Sequence, residues 1–245
     1  MPPRPYPSIR GALPRVCVLL LICVGCGRDE PATPTAPLPT ELTWARQLDD
    51  VRGGIRARIE LQQTEVSAAE FRELAHDCAT LEELLLDNVL LDETDLAIVL
   101  AHLPHLRQLK LGGPLTSADA ISIAQVTTLQ FLNVPHTNWT DDDLAHLAKL
   151  PHLKLLRLSS PRLTDAGLQA LSTFPELRYL HLLQVPITDA ALPAIAECEQ
   201  LQSFYLDGGH CTDAGLSQLI ERRPQLHFHW NDLHLDSDPQ RHPHD

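Results

Sequence analysis

The feature that most limits how this chain can fold is a leucine that returns about every 24 residues. Leu81, Leu106, Leu129, Leu153, Leu177, Leu201 and Leu226 stand 25, 23, 24, 24, 24 and 25 residues apart. Most open a Leu-x-x-Leu-x-Leu segment: Leu81/Leu84/Leu86, Leu106/Leu109/Leu111, Leu153/Leu156/Leu158 and Leu177/Leu180/Leu182. Leu129/Leu132/Val134 and Leu201/Phe204/Leu206 are variants, and Arg56/Ile59/Leu61 is an earlier unit without its first leucine. Alternation at the last two positions has period two, which predicts a short strand with one buried face. A second column follows in each unit: Ser67, Asp92, Ser117, Thr140, Thr164, Thr188 and Thr212. All are residue types whose side-chain oxygen accepts an orphan amide at a helix start. They are flanked by pairs such as Val66/Phe71, Leu163/Leu168 and Ile187/Leu192, the spacing of a hydrophobic staple, and Ser67 with Glu70 forms a capping box. Each unit therefore reads as strand, turn, short capped helix and return loop. One such unit cannot bury its own apolar face, but stacked units share a continuous core, which accounts for 46 leucines in 245 residues.

These units resemble leucine-rich repeats. Leu163-Thr164-Asp165-Ala166-Gly167-Leu168 and its copies at 187–192 and 211–216 are similar to the ribonuclease-inhibitor-like, cysteine-containing subtype, and the resemblance covers about residues 56–235. It implies an α/β leucine-rich repeat solenoid of about seven to eight units, with parallel strands on the concave face and short helices on the convex face. One position departs from the pattern. Many such families carry an asparagine three residues after the last strand leucine, where this chain has Val89, Pro114, Thr137, Pro161, Val185 and Gly209. The turn must then be held in another way. The repeat domain is assigned to 55–235. Before it, 41–54 reads as a capping helix, started by Thr40, running through Leu42, Ala45, Leu48 and Val51, and stopped at Gly53-Gly54, with Trp44 sealing the first unit. After it, 236–245 is a His/Asp-rich tail.

The N-terminus reads as an address. Arg4, Arg10 and Arg15 precede a nine-residue apolar stretch, Val16 to Val24, which has the size of a secretory h-region and is too short to span a bilayer. Cys23-Val24-Gly25-Cys26 resembles a bacterial lipobox, with Cys23 where a leucine is usual. The resemblance implies a signal peptide over 1–25, cleavage before Cys26, and acyl chains on Cys26 that anchor the protein to a membrane. Residues 26–40 hold Pro31, Pro34, Pro37 and Pro39 and form an extended linker. The expected location is the cell envelope, facing the periplasm or the exterior.

Charge and side-chain chemistry narrow the function further. The net charge of −13 becomes −16 once the three arginines of 1–25 are removed, which argues against nucleic acid, a partner that demands a basic footprint. Cys78 and Cys198 share a column with Leu103, Val126, Leu150 and Phe174, and Cys211 lies in the staple column, so these thiols read as core. No nucleophile elbow, phosphate-binding glycine loop or His-Glu-x-x-His occurs, so no enzyme, no catalytic residue and no cofactor is assigned. His227 and His229, at i and i+2 on one strand face, make a half-site for zinc or copper, with His234, His242 and His244 nearby in sequence. Nothing in the spacing completes that set, and no metal site is assigned.

The remaining candidate is a surface. Residues between the buried leucines point to the concave face, and units four to seven place Phe131, Leu155, Tyr179, His181, Leu183 and Tyr205 there, with Arg157 and Lys110 as polar partners. Aromatics make up only 4% of the chain, and aromatic anchors among polar groups are what interfaces enrich. The expectation is a monomeric, membrane-anchored scaffold that binds a protein or peptide on its concave face. The alternatives are a metal-binding envelope protein using the C-terminal histidines, and a purely structural envelope component.

Overall fold

A computed structural model describes residues 42–92 and 95–231. The export signal, Cys26, the proline-rich linker, Thr40 and the tail histidines lie outside the described residues. The chain divides into two units, Met1–Thr40 and Glu41–Asp245, and the described residues belong to the second.

The elements alternate as the repeat predicts. A first helix, α1 (Trp44–Arg52), leads into β1 (Arg58–Val66) and α2 (Ala68–Arg72). Then come β2 (Glu83–Val89), α3 (Asp95–Leu100), β3 (Gln108–Leu111), α4 (Ser117–Ile123), β4 (Phe131–Val134) and α5 (Asp141–Leu147). After β5 (Leu155–Leu158) the helical segment Gly167–Thr173 is 3-10 in form, and after β6 (Tyr179–Leu183) a 3-10 turn, Asp189–Ala191, opens α6 (Leu192–Glu197). β7 (Ser203–Asp207), α7 (Asp213–Arg222) and β8 (His227–Trp230) finish the array. All eight strands run parallel in one sheet, and their spatial order is their chain order. The protein is an α/β leucine-rich repeat solenoid.

Register explains why the leucine columns are needed. Leu84 pairs with Leu109, and Leu132, Leu156, Leu180, Phe204 and Phe228 continue that line, every one fully or almost fully buried. Each such leucine contributes on the order of 2 kcal/mol on leaving water, and the helices supply the other wall of the core. Cys78, Cys198 and Cys211 are buried in it as free thiols. Burial drives the thiol pKa up, to about 11 at Cys198 and about 12 at Cys211, so both stay protonated and inert at neutral pH.

Two cap positions differ from the expected ones. Thr116, not Ser117, starts α4: its backbone N–H donates to Asp119 Oδ2 at 2.7 Å in a capping box. The staple then consists of Leu115 and Ala120, both buried, whereas Ile121 is 49% exposed. α1 is capped by Thr43, whose Oγ1 accepts from the Arg46 amide at 3.4 Å. Ser67, Thr140, Thr188 and Thr212 cap as expected. Thr164 precedes a 3-10 segment, and its hydroxyl accepts from the Ala166 amide.

Aligned on Thr116, the units show two ways of holding these starts. In the early units the third residue after the cap is a carboxylate, Glu70, Asp95, Asp119 or Asp143, which accepts the cap residue's own N–H. In the later units that residue is Gly167, Ala191 or Gly215, and an aspartate from the preceding unit takes over. Asp141 accepts from the Thr164 amide and hydroxyl at 2.9 and 2.7 Å, Asp165 from those of Thr188 at 2.6 and 2.7 Å, and Asp189 from those of Thr212 at 2.8 and 2.7 Å. A Cβ at Gly167 or Gly215 would run into the visiting carboxylate, whereas the unit that Asp165 reaches accommodates Ala191 at the same position. This ladder welds neighbouring units on the helix side.

The turn without its asparagine is held by other groups. Thr137 Oγ1 donates to the Ser159 carbonyl at 2.7 Å, Ser160 Oγ to the Trp139 carbonyl at 2.6 Å, and Trp139 Nε1 to the Thr116 carbonyl at 2.8 Å. At the N-terminal edge, the Gln47 side chain imitates a strand. Its Nε2 donates to the Glu60 carbonyl at 2.8 Å and its Oε1 accepts the Glu60 amide at 2.9 Å, which pairs the edge of β1 that meets no other strand among the described residues. Trp44 is buried beside it, as expected of a sealing residue.

Candidate functional site

Strands have a side-chain period of two, so the residues between the buried columns all face away from the helices. On this open sheet face, parallel register converts sequence columns into rows that cross the strands. One row is Phe131, Leu155 and Tyr179, direct neighbours on β4, β5 and β6. The adjacent row is Asn133, Arg157, His181, Tyr205 and His229 on β4 to β8. Leu183 pairs with Asp207 in a third row. Seven of the eight residues expected on this surface thus occupy one contiguous area of β4–β7, Lys110 standing on β3, and Tyr179, at 39% exposed, is the most accessible aromatic of that area.

The middle row is wired by hydrogen bonds. Arg157 donates from Nη1 to Asn133 Oδ1 at 3.1 Å and from Nε to His181 Nδ1 at 3.2 Å. His181 Nε2 lies 2.7 Å from Asp207 Oδ2. Because Nδ1 accepts from Arg157, the network assigns the imidazole proton to Nε2, which donates it to Asp207. Burial works against the charge of Arg157 and lowers its pKa, while Asp207 pulls in the opposite direction. Asn133 and Asp207 were not expected as site residues. They stood in the outward-facing columns of the sequence, and only the register shows that they bracket Arg157 and His181.

Aromatic packing continues toward the C-terminal edge. The His181 and Tyr205 rings are 5.4 Å apart, and Tyr205 stacks on His229 at 4.5 Å with planes 16° from parallel. Burial raises the Tyr205 pKa, although a hydrogen bond involving Ser203 opposes the shift, so the phenol stays neutral. Tyr179 Oη donates to Gln202 Oε1 at 3.2 Å.

The N-terminal half of the same face has a different character. Arg58 pairs with Glu60 at 2.7 Å and also with Glu83, and Lys110 pairs with Asp87. For Glu60, burial resists ionisation, but hydrogen bonds from Arg58 and Gln62 outweigh it and lower its pKa. Lys110 is therefore committed to Asp87 rather than to the aromatic area. The face divides into a charge-paired half on β1–β3 and an aromatic, histidine-bearing half on β4–β8.

No protein-family model and no curated protein matches the sequence. Among solved structures, the fold is similar to that of internalin C2 from Listeria monocytogenes, at 20% identity, over 81% of this chain and 80% of that one, with a TM-score of 0.49. It is also similar to a second internalin (inlF) of the same organism, at 20% identity and a TM-score of 0.44. That match takes in 60% of this chain and 48% of the other, about half its length. Among the described residues, no helix is long and apolar enough to cross a membrane.

Proposed function

We propose that this protein is a lipid-anchored scaffold of the cell envelope that binds a protein or peptide on the open sheet face of β4–β7. Its contact residues are Phe131, Leu155, Arg157, Tyr179, His181, Leu183 and Tyr205, and its anchor is the acylated Cys26. One observation carries the reading. In a chain with few aromatics, an apolar row of Phe131, Leu155 and Tyr179 lies in register beside a hydrogen-bonded row of Asn133, Arg157, His181 and Tyr205. Large rigid rings flanked by oriented polar groups are the composition of binding hot spots. Binding rather than catalysis fits His181, whose second nitrogen accepts from Arg157 instead of facing a hydroxyl or thiol. Short helices on the opposite side, with thiols in their buried columns, support the cysteine-containing repeat subtype.

The test is a crosslinking pull-down from intact cells that express the wild type, Tyr179→Ala/Tyr205→Ala or Cys26→Ser. The double variant should lose the captured partner at least tenfold, since each hot-spot truncation costs about 2 kcal/mol. The Cys26 variant should leave the membrane fraction. A double variant that captures the same partners at wild-type yield sinks the binding face, and a membrane-bound Cys26→Ser protein sinks the anchor.

A further inference from the structure

The last strand carries two histidines that no part of the proposed binding reading uses. His227 and His229 are separated by one residue on β8, so their side chains leave the sheet on the same face. Their Nε2 atoms converge to 2.8 Å, and their ring centroids lie 4.6 Å apart with planes at 60°. Tyr205 holds the pair from the neighbouring strand, stacked on His229 at 4.5 Å and edge-on to His227 at 5.9 Å. His229 is only 6% exposed and His227 is half-buried. The two nitrogens are thus brought together by packing, not by two long side chains on a free surface.

We propose that His227 and His229 form a two-histidine chelate for a borderline divalent transition-metal ion, with Cu(II) the tightest. Ligands at about 2.0 Å from a metal are about 2.8 Å apart when they subtend a right angle and about 3.3 Å apart when they subtend a tetrahedral one. The observed 2.8 Å is a hydrogen-bond contact, and small ring rotations from it reach either spacing, so Cu(II), Ni(II) and Zn(II) all fit the pair. Imidazole nitrogen suits these ions, and affinity rises along the series to Cu(II). Without metal the two nitrogens share one proton in a hydrogen bond. On binding, the donor ring releases its Nε2 proton and takes one at Nδ1 from solvent, so both rings stay neutral and each Nε2 gives a lone pair to the ion. Among the described residues no third His, Cys, Asp or Glu completes a cluster with the pair. Stacking on Tyr205 orients the His229 ring, the role that outer-shell partners play for metal-binding histidines.

The experiment titrates full-length protein in detergent with Cu(II) and reads imidazole-nitrogen couplings by electron paramagnetic resonance. The wild type is compared with His227→Asn, His229→Asn and the tail variant His234→Ala/His242→Ala/His244→Ala. The expected result is one Cu(II) per chain with two imidazole nitrogens, kept in the tail variant and weakened about tenfold or more in either asparagine variant. Unchanged binding in both asparagine variants overturns the proposal, as does a site that disappears only with the tail histidines. If circular dichroism shows that an asparagine variant has not folded, the tail variant decides. Two imidazole couplings there support the chelate, and their absence refutes it.

Discussion

Arg223 shows how much a single side chain can carry in a solenoid. It stands in the column that Cys78, Leu103, Val126, Leu150, Phe174 and Cys198 occupy in earlier units, and it is only 6% exposed. Its Nη1 donates to the carbonyls of Ala196 and Cys198 at 3.1 and 2.7 Å, and its Nη2 to those of Glu199 and Leu201 at 3.3 and 2.9 Å. These oxygens belong to the end of α6 and the return loop of the preceding unit, between α6 and β7, and the planar guanidinium fork pairs four of them at once. Arg223→Ala should therefore cost about 3 kcal/mol, seen as a lower urea midpoint with unchanged slope. Arg223→Leu, which restores the apolar type of the column, should also destabilise, because the carbonyls stay unpaired. Wild-type stability in the leucine variant would contradict this pairing role. The polar residue in an apolar column was a visible signal in the sequence, but its meaning depended on where the loop carbonyls point.

At the scale of elements, the helix starts make stability depend on acid. Hydrogen bonds from Ser67 hold Glu70 below its ordinary pKa, and those from Thr212 do the same for Asp189. For Asp143 burial pushes upward, but the hydrogen bonds from the Thr140 amide and from the Ser117 and Thr140 hydroxyls win and lower it. A carboxylate whose pKa is lower when folded than when unfolded adds stability that is complete above the unfolded value. That stability is lost as pH falls through the folded value. Thermal stability should thus be level above about pH 5 and fall steadily below about pH 4. Asp143→Asn should lose about 1 kcal/mol at neutral pH and show a shallower acid decline, measured by unfolding at a series of pH values. An unaltered acid decline would remove Asp143 from the account. Individual caps were legible from residue type and staple spacing. The choice between Thr116 and Ser117 was not, because both residues can cap and only the burial of Ala120 over Ile121 separates them. The aspartate ladder was also hidden, since it joins residues 23 apart that meet only when units stack.

Across the whole repeat domain, contacts run between neighbouring units, so an open end should weaken locally and not globally. Gln47 closes the β1 edge through both hydrogen bonds to Glu60. Gln47→Ala should accelerate amide exchange at Glu60 and along β1 by at least tenfold while β6–β8 keep their protection, followed by hydrogen exchange with mass spectrometry. Uniform acceleration over all eight strands would show that the solenoid opens as one body and that the edge is not separately held. The division of the sheet face into a charge-paired half and an aromatic half belongs to this scale too, because each half is assembled from five or fewer strands in register.

Period and residue type act within one unit, and they specify the repeat length, the buried columns, the alternation of strand and capped helix, and the set of residues that face outward. Tertiary contacts set what happens between units: which aspartate reaches which threonine, how Gln47 pairs the β1 edge and Arg223 the return loop before it, and how Asn133, Arg157, His181 and Asp207 join into one row. Those outcomes depend on register and on distances across roughly 24 residues of chain, which the stacking of parallel strands sets and no local pattern encodes. The convergence of His227 and His229 has both origins, a spacing of two visible in the sequence and a Tyr205 wall that only the neighbouring strand provides.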